Sequence, residues 1–290
     1  MSTLALNRLR PYSEIIELAP WDFCDNSILP KAIVRHCCDV HQRHLGHYYF
    51  NIFNRIKDKR VTYEIPLINI NILNEDIEFL DERRLLFETR LWLLNKQVLQ
   101  IKIDIFKSTY PFQKIATSAC IGTECIHDDP ENWPLGRFNE ALGVSSELSE
   151  LLPLAEESIV ENTQSIINYL ESEENWADSV VTSHIMIQDY CEYGYMAAFM
   201  NYITPLIEIG RRELAKKLKK DGIEPPKRLL SRRDYKNWKL WFSIKKALFL
   251  DDEIELKSSY MMVNEKEYYR HDLYLKKPKI LKQVIIEEFA

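Results

Sequence analysis

The sequence is poor in glycine, which supplies only seven of its 290 residues. Loops that hold nucleotide phosphates need closely spaced glycines, so that backbone N–H groups can approach the phosphates. Neither a GxGxxG pattern nor a GxxxxGK pattern followed by serine or threonine occurs in the chain. The sequence therefore gives no sign of a dinucleotide-binding site or a P-loop.

An excess of positive charge is also missing. Lysine and arginine total 38 against 44 aspartate and glutamate residues, which gives a formal net charge of −6. A protein whose main partner is nucleic acid usually carries a surplus of basic residues. We therefore expect no nucleic-acid partner.

Long uninterrupted apolar runs are absent as well. The most apolar stretch, YGYMAAFMNYITPLIEIG, contains Asn201, Pro205 and Glu208, so a buried helix is a better interpretation than a membrane span. The start of the chain, MSTLALNRLRPY, has no apolar core of signal-peptide length. We expect a cytoplasmic protein without a membrane partner.

Cysteine pairs of the kind that hold metals or form disulfide frameworks do not occur either. The six cysteines show no CxxC spacing, so we interpret them as reduced thiols. Four histidines, His36, His41, His44 and His47, lie close together in the sequence. Among them His41 and His44 could share a metal with Cys37, but no obvious fourth ligand accompanies these three, so helical histidines are a better interpretation than a metal site.

The sequence does contain a strand, a helix and then a series of strands. SEIIEL predicts the first strand, and ILPKAIVRHCCDVHQRHLG predicts a helix with Ser27 as its N-cap. In the strands that follow, Ile101, Ile103 and Ile105 alternate with polar residues, which is typical of a half-buried sheet. These strand candidates are VTYEIPLINI, RLLFETRLWLL, VLQIKIDIF and KIATSACIGTECI.

The same order of elements then returns. VVTSHIMIQ predicts a strand, YMAAFMNYITPLIEIGRRELAKKLKK predicts a long helix that Gly222 ends, and further strands follow. FLDER at 79–83 and FLDDE at 249–253 are 249 − 79 = 170 positions apart. The pattern predicts two fused copies of one unit, with the second set of strands in DYKNWKLWFSI, IELKSSYMMV, EYYRHDLYL and KQVIIEEF.

The repeat sets the expected domain boundaries. Residues 1–127 form the first domain, residues 128–179 form an acidic connector with its own helix, and residues 180–290 form the second domain. Asp22 and Asp189 lie at the same place in the two copies, 189 − 22 = 167 positions apart, where the first strand gives way to the helix. One helix followed by an antiparallel sheet indicates an α+β layer.

This strand series resembles the hotdog fold of acyl thioesterases and dehydratases, in which a sheet wraps around a long helix. LLFETRLWLLNKQVLQIKIDIFKS and KIATSACIGT carry the resemblance in the first copy. Two fused copies resemble a double hotdog. The resemblance implies an α+β double hotdog that acts on acyl thioesters of coenzyme A or an acyl carrier protein.

A narrower resemblance is to the leinamycin-type acyltransferase/decarboxylases of polyketide biosynthesis. It rests on APWDFCDNSILP, the Thr62–Tyr63 pair, Phe138–Asn139 in GRFNEALG, and DYCEYGYMAAFMNY. It implies that Tyr63 takes the acyl group as an oxygen ester, and that Asn139 and Gly194 contact the substrate. The main expectation is therefore acyl transfer, which could include decarboxylation of a malonyl-type unit.

Two groups of polar residues carry further expectations. Asp25, Asn26 and Ser27 precede the first helix, where they either cap it or bind the thioester carbonyl together with the helix N-terminus. Asp22 and Asp189 are candidate catalytic carboxylates, and Glu208 is a further substrate-binding candidate. Asp189 and Glu208 resemble the acidic residues with which thioesterases activate water.

Several alternatives remain open on the sequence. The chain could hydrolyse or dehydrate acyl thioesters, or it could be a non-catalytic double hotdog that binds acyl chains or proteins. We expect no resident cofactor, with coenzyme A or phosphopantetheine as the acyl carrier. The two copies would form an internal pseudo-dimer, so the chain would be a monomer or a homodimer.

Overall fold

The computed structural model describes a little more than half of the chain. The described residues are 12–24, 27–29, 32–37, 39–40, 60–72, 83–94, 98–127, 168, 183–186, 199–230, 238–244, 248 and 252–289. None of the helices in this part combines the length and the apolarity that a membrane span requires. The two proposed domains are both represented, whereas nearly all of the expected connector lies outside these ranges.

The described part of the first 127 residues contains seven strands, a short 3-10 helix (Pro20–Asp22) and one α-helical segment. Each of the five predicted strands is present, and the alternation holds, because Ile103 and Ile105 are buried while Lys102 and Asp104 are half-buried. A helical segment, α1, covers residues 32–37 and 39–40. The strands are β1 (Tyr12–Glu17), β2 (Phe23–Cys24), β3 (Ser27–Ile28), β4 (Arg60–Ile72), β5 (Arg84–Leu94), β6 (Val98–Lys107) and β7 (Lys114–His127).

The second part of the chain contributes five strands and two helices. The long predicted helix is present as α2 (Phe199–Lys220), and Gly222 follows it with a φ of 76°. That left-handed conformation suits glycine and ends the helix, as the sequence predicts. The remaining elements are β8 (Ser183–Met186), α3 (Lys227–Leu230), β9 (Trp238–Ile244), β10 (Glu253–Val263), β11 (Lys266–Leu275) and β12 (Ile280–Phe289).

The ten long strands form one antiparallel sheet in the order β1-β5-β6-β7-β4-β9-β12-β11-β10-β8. Read from its two edges, the sheet has the same order twice, with β8, β10, β11, β12 and β9 in the places of β1, β5, β6, β7 and β4. The first residues of β5 and β10 are 253 − 84 = 169 positions apart, and those of β6 and β11 are 266 − 98 = 168 apart. These offsets agree with the repeat that the sequence predicts.

The main hydrophobic core lies between the helices and one face of the sheet. Residues of both halves belong to it, such as Phe87 on β5, Leu206 on α2 and Ile285 on β12. On the opposite face of the second half, Trp241 and Ile286 belong to a smaller cluster. The sheet is therefore covered mainly on its helical side.

The expected N-cap of the first helix is wrong. Ser27 lies in β3, which pairs with β2 through Cys24, and does not cap α1. The helical hydrogen bonds begin two residues later, because the N–H of Ile33 donates to the carbonyl of Leu29 at 3.3 Å. The short β2–β3 pairing accounts for the difference, since it holds Ser27 in an extended conformation.

Candidate functional site

A buried carboxylate lies at the start of the first helix. Asp22 is only 1% exposed, although its segment Pro20–Asp22 is a short 3-10 turn at the surface. Its Oδ2 accepts a hydrogen bond from the backbone N–H of Ala19 at 3.0 Å and lies 3.1 Å from His36 Nε2. The Arg35 guanidinium donates to the other carboxylate oxygen. Both oxygens of Asp22 are thus held in place.

The local fold explains why these side chains meet. The backbone carbonyl of Asp22 accepts the N–H of Leu29 at 2.7 Å, and the β2–β3 pairing closes the loop between them. This brings the turn back onto the first turns of α1, where Arg35 and His36 lie. The His36 ring packs edge-on against Phe87 of β5, with 6.3 Å between the ring centroids.

The arrangement suits proton transfer. His36 Nε2 faces both the Asp22 carboxylate and, at 3.3 Å, Arg35 Nη2. In the tautomer whose Nε2–H donates to Asp22, Nδ1 is left as a proton acceptor. His36 is 8% exposed and the Arg35 side chain is 43% exposed, so the pair lies just below the surface. The same contacts also fasten the 3-10 turn to α1.

A second polar cluster lies under α2 in the other half of the sheet. Ser258 Oγ is 2.8 Å from His271 Nδ1, and His271 Nε2 is 3.0 Å from Glu287 Oε1. Arg211 of α2 forms a paired contact with both oxygens of Glu287, and Trp238 Nε1 donates to the same carboxylate at 2.9 Å. The three strands β9, β11 and β12 and the helix are joined at one buried charge.

Contacts within the cluster stabilise its buried charges. Burial by itself would raise the pKa of Glu287, but Arg211 and the hydrogen bond from His271 outweigh it and lower this pKa to about 2. Arg211 also lies over the rings of Tyr269 and Phe289, at 5.8 and 4.9 Å from their centroids. Such a buried charge is stable only with all of its partners present.

Ser258, His271 and Glu287 have the residue types of a hydrolytic triad, but they are sealed. Each of them is at most 1% exposed. Gly210 of α2 lies directly above, and a Cβ built on it would be 2.4 Å from both Ser258 Oγ and His271 Nδ1. Since no substrate atom can reach Ser258 past the helix, this cluster fixes α2 on the sheet and is not the catalytic candidate.

The cluster belongs to the second half alone. Strand pairing places Thr89 opposite Ile103 as it places Ser258 opposite His271, and 258 − 89 = 169 while 271 − 103 = 168. The position that matches Glu287 is Cys120, 167 residues earlier. The first half therefore has a threonine, an isoleucine and a cysteine where the second has the polar cluster.

The residues that the sequence singled out are distributed as follows. Tyr63 lies on β4 with Glu124 of β7 as its register partner, and Ser27 lies in β3, beside the turn that contains Asp22. Glu208 is on the exposed side of α2. Outside the described residues are Asp25, Asn26, Asn139, Asp189 and Gly194.

Sequence reasoning found Asp22 but missed its partners. Arg35 and His36 are 13 and 14 residues further along the chain, and the 3-10 turn and the β2–β3 pairing bring them back. The Ser258–His271–Glu287 cluster was missed as well. The signal for it was there, since the period-two pattern of β11 and β12 puts His271 and Glu287 on the same face as Leu273 and Ile285.

Comparison with known proteins places the fold. No protein-family model matches the sequence, and no curated protein matches it. Solved structures do match over the whole length. An oleoyl thioesterase from Lactobacillus plantarum has a TM-score of 0.63 and 11% identity, with 99% of this chain and 96% of that chain covered.

Two further structures agree. An acyl-ACP thioesterase from Bacteroides thetaiotaomicron has a TM-score of 0.59 and 10% identity, with both chains fully covered. The 12:0-ACP thioesterase from Umbellularia californica has a TM-score of 0.56 and 7% identity, with 96% of this chain and 95% of that chain covered. The antiparallel sheet and its helices thus have the hotdog fold of these thioesterases.

Proposed function

We propose that this protein is a double-hotdog hydrolase of acyl thioesters carried by an acyl carrier protein or coenzyme A. Its first domain would span residues 1–127, and its second would span residues 180–290 beyond the connector at 128–179. The repeated strand order of the sheet supports two fused copies. The likeness to three thioesterases over nearly the whole of each chain supports thioester chemistry.

The single observation that carries hydrolysis is the buried Asp22–His36 pair. Hydrolysis adds water across the C–S bond of the thioester and gives a carboxylic acid and a free thiol. In this mechanism His36 accepts a proton from the attacking water while Asp22 holds the ring and stabilises the imidazolium that forms. The proton then passes to the departing sulfur.

The helix start would stabilise the developing oxyanion. The first described residue of α1 is Ala32, three residues after Leu29, whose N–H donates to the backbone carbonyl of Asp22. Backbone N–H groups and the positive end of the helix dipole favour negative charge at such a terminus. Asp25, Asn26 and Ser27, which fall in this stretch of sequence, are our candidates for binding the thioester carbonyl.

Asp22→Asn tests the proposal. With a panel of acyl-ACP and acyl-CoA substrates of increasing chain length, thiol release should be measurable for the native protein. The variant should lower kcat by about 100-fold or more, because general-base catalysis contributes about that much. Asp104→Asn is the matched control, since it removes a carboxylate that is paired with Lys114 on the sheet surface.

Two results would contradict the proposal. One is a native protein that binds acyl thioesters without releasing thiol, which would favour the non-catalytic alternative. The other is an Asp22→Asn variant that stays folded by circular dichroism and keeps native kcat. A His36→Gln variant should lose the same activity and change its pH profile, which a purely structural role would not do.

Acyl transfer through Tyr63, with or without decarboxylation of a malonyl-type unit, is the second candidate function. Strand pairing puts Glu124 directly opposite Tyr63, and directly paired residues share a face of the sheet. Glu124 is therefore a candidate for the base that the phenol would need. Intact mass after incubation with malonyl-CoA and methylmalonyl-CoA separates the two functions, because transfer gives a covalent adduct that Tyr63→Phe abolishes.

A further inference from the structure

Exposed aromatic side chains collect at one end of the sheet. Trp21, Tyr110 and Phe112 are 70%, 90% and 58% exposed. They are the exposed aromatic residues among the large hydrophobic side chains at the surface of the described chain. We call these three residues the aromatic end.

Strand pairing puts the turns that carry these three residues at the same end of the sheet. Glu17, the last residue of β1, pairs with Arg84, and Lys107, the last residue of β6, pairs with Leu85. The chain therefore leaves β1 and β6 on either side of the start of β5. Trp21 follows Glu17 by four residues and Tyr110 follows Lys107 by three, so each lies within about 15 Å of the end of its own strand.

The aromatic end protrudes and is ordered. Tyr110 and Phe112 lie in the turn between β6 and β7, and their rings meet edge to face at 6.4 Å with 85° between the planes. This contact holds both rings outward, so little side-chain freedom remains to be lost on binding. Protruding side chains do not form a pocket for a small molecule, but they can insert into a deformable surface.

Basic side chains flank the aromatic end. Arg83 and Arg84 are exposed, and Lys107 is half-buried beside them. Glu17 is an exposed acidic side chain at this end, and Asp81 and Glu82, which lie outside the described residues, precede Arg83 in the sequence. Tryptophan and tyrosine prefer the boundary between lipid headgroups and acyl chains, and arginine and lysine bind the phosphates of the headgroups.

We propose that the aromatic end docks the protein on the surface of a phospholipid bilayer as a peripheral contact. Such docking departs from the expectation of no membrane partner that was drawn from the sequence. It does not rest on the proposed hydrolysis. If both hold, docking places the Asp22–His36 pair at the lipid surface, because Asp22 directly follows Trp21, and a released fatty acid would enter the bilayer.

Sedimentation with vesicles tests the docking. The full-length protein should sediment with vesicles of phosphatidylcholine and more strongly when phosphatidylglycerol is added. A triple variant, Trp21→Ser with Tyr110→Ser and Phe112→Ser, should lower the partition coefficient on the order of 100-fold, since three apolar side chains no longer leave water. Its fold can be checked by circular dichroism, and the substituted side chains are all exposed.

A matched control uses equally exposed apolar residues elsewhere. Ile223 and Met262 are 54% and 59% exposed, and a double serine variant at these positions should bind vesicles like the native protein. As a direct readout, lipids brominated on their acyl chains should quench part of the tryptophan fluorescence, and Trp21→Phe should remove that quenching.

Three outcomes would overturn the proposal. One is that the native protein does not sediment with vesicles of either composition. Another is that the folded triple variant binds vesicles as well as the native protein does. The third is a homodimer in sedimentation velocity that the triple variant dissociates, because the aromatic end would then be an interface between two copies. Loss of thiol release without a change in vesicle binding would instead bear on the hydrolytic proposal alone.

Discussion

At the scale of single residues, Glu287 is the buried charge that links the helix α2 to the strands of the second half. Its carboxylate contacts Arg211 from the helix, His271 from β11 and Trp238 from β9. Glu287→Gln should lower the free energy of unfolding by about 3–5 kcal/mol at neutral pH, because it leaves the Arg211 charge buried without its partner. Urea unfolding of the two proteins measures the difference.

The same substitution should be less costly in acid. The pKa of Glu287 in the folded protein is about 2, below the usual 4.5 of a glutamate, so the stability that its charge provides is present above about pH 4.5. This stability is lost as the pH falls from there toward 2. The gap between native and variant proteins should therefore narrow at about pH 3.

Glu255→Gln is the control for this test. Glu255 pairs with Lys279 at 3.1 Å at the surface, where the lysine side chain is 52% exposed. An exposed ion pair of this kind contributes at most about 1 kcal/mol. Equal losses for the two variants, or a gap for Glu287→Gln that is independent of pH, would contradict the assignment.

At the scale of elements, α2 packs closest to β10 and β11, its side chains reach β12, and its distance from the sheet is set by Gly210. Tyr202 donates to Gln283 at 2.9 Å, and Arg211 reaches Glu287. The nine-residue step from Tyr202 to Arg211 of the helix and the four-residue step from Gln283 to Glu287 of the strand both span about 13 Å, so the two contacts have the same spacing on α2 and on β12. Between these two contacts the helix is close enough to the strands that position 210 has no room for a side chain.

Gly210→Ala should therefore destabilise the protein by about 1–3 kcal/mol, although alanine is the better helix former. The added Cβ would meet Ser258 and His271, which hold each other and cannot easily move. Thermal unfolding gives the measurement. A second substitution, Ser258→Ala, should recover part of the loss, and full additivity of the two changes would argue against a direct clash.

The elements themselves were largely predictable from the sequence. Period-two alternation and β-branched residues define the long strands, and the structure has each predicted strand of both halves at its place. The start of α1 was not predictable, because Ser27 suits a cap and an extended residue equally well. Its extended state is decided by the pairing of Cys24 with Ser27, a tertiary contact that local propensity does not contain.

The candidate site was predictable only in part for a similar reason. A lone aspartate at a strand-to-helix junction points to Asp22, whereas its pairing with His36 depends on how the intervening loop folds back. In β12, consecutive glutamates at 287 and 288 suggest a solvated strand end, yet both are buried. The partner of Glu287 is Arg211 from α2, and the partner of Glu288 is Lys266 from β11. The sequence of β12 alone contains neither partner.

At the scale of the whole molecule, β4 joins the two halves by pairing with β7 on one side and β9 on the other. The main core also contains residues of both halves. We therefore expect one cooperative unfolding transition in urea, with tryptophan fluorescence and circular dichroism changing together. Two separated transitions would show that the halves are independent.

Because the two copies are joined in one chain, the residues of each copy can change independently of the other. In a symmetric homodimer, one substitution in the gene alters both subunits, so neither site can specialise without changing the other. Here the two halves share a strand order, but each is encoded by its own part of the gene. Matching positions in the two halves can therefore carry different residues. The second half carries Ser258, His271 and Glu287 where the first has Thr89, Ile103 and Cys120. Covalent linkage thus allows the two halves to diverge: in the second half the buried cluster fixes α2 on the sheet, while the first half holds the buried Asp22–His36 pair.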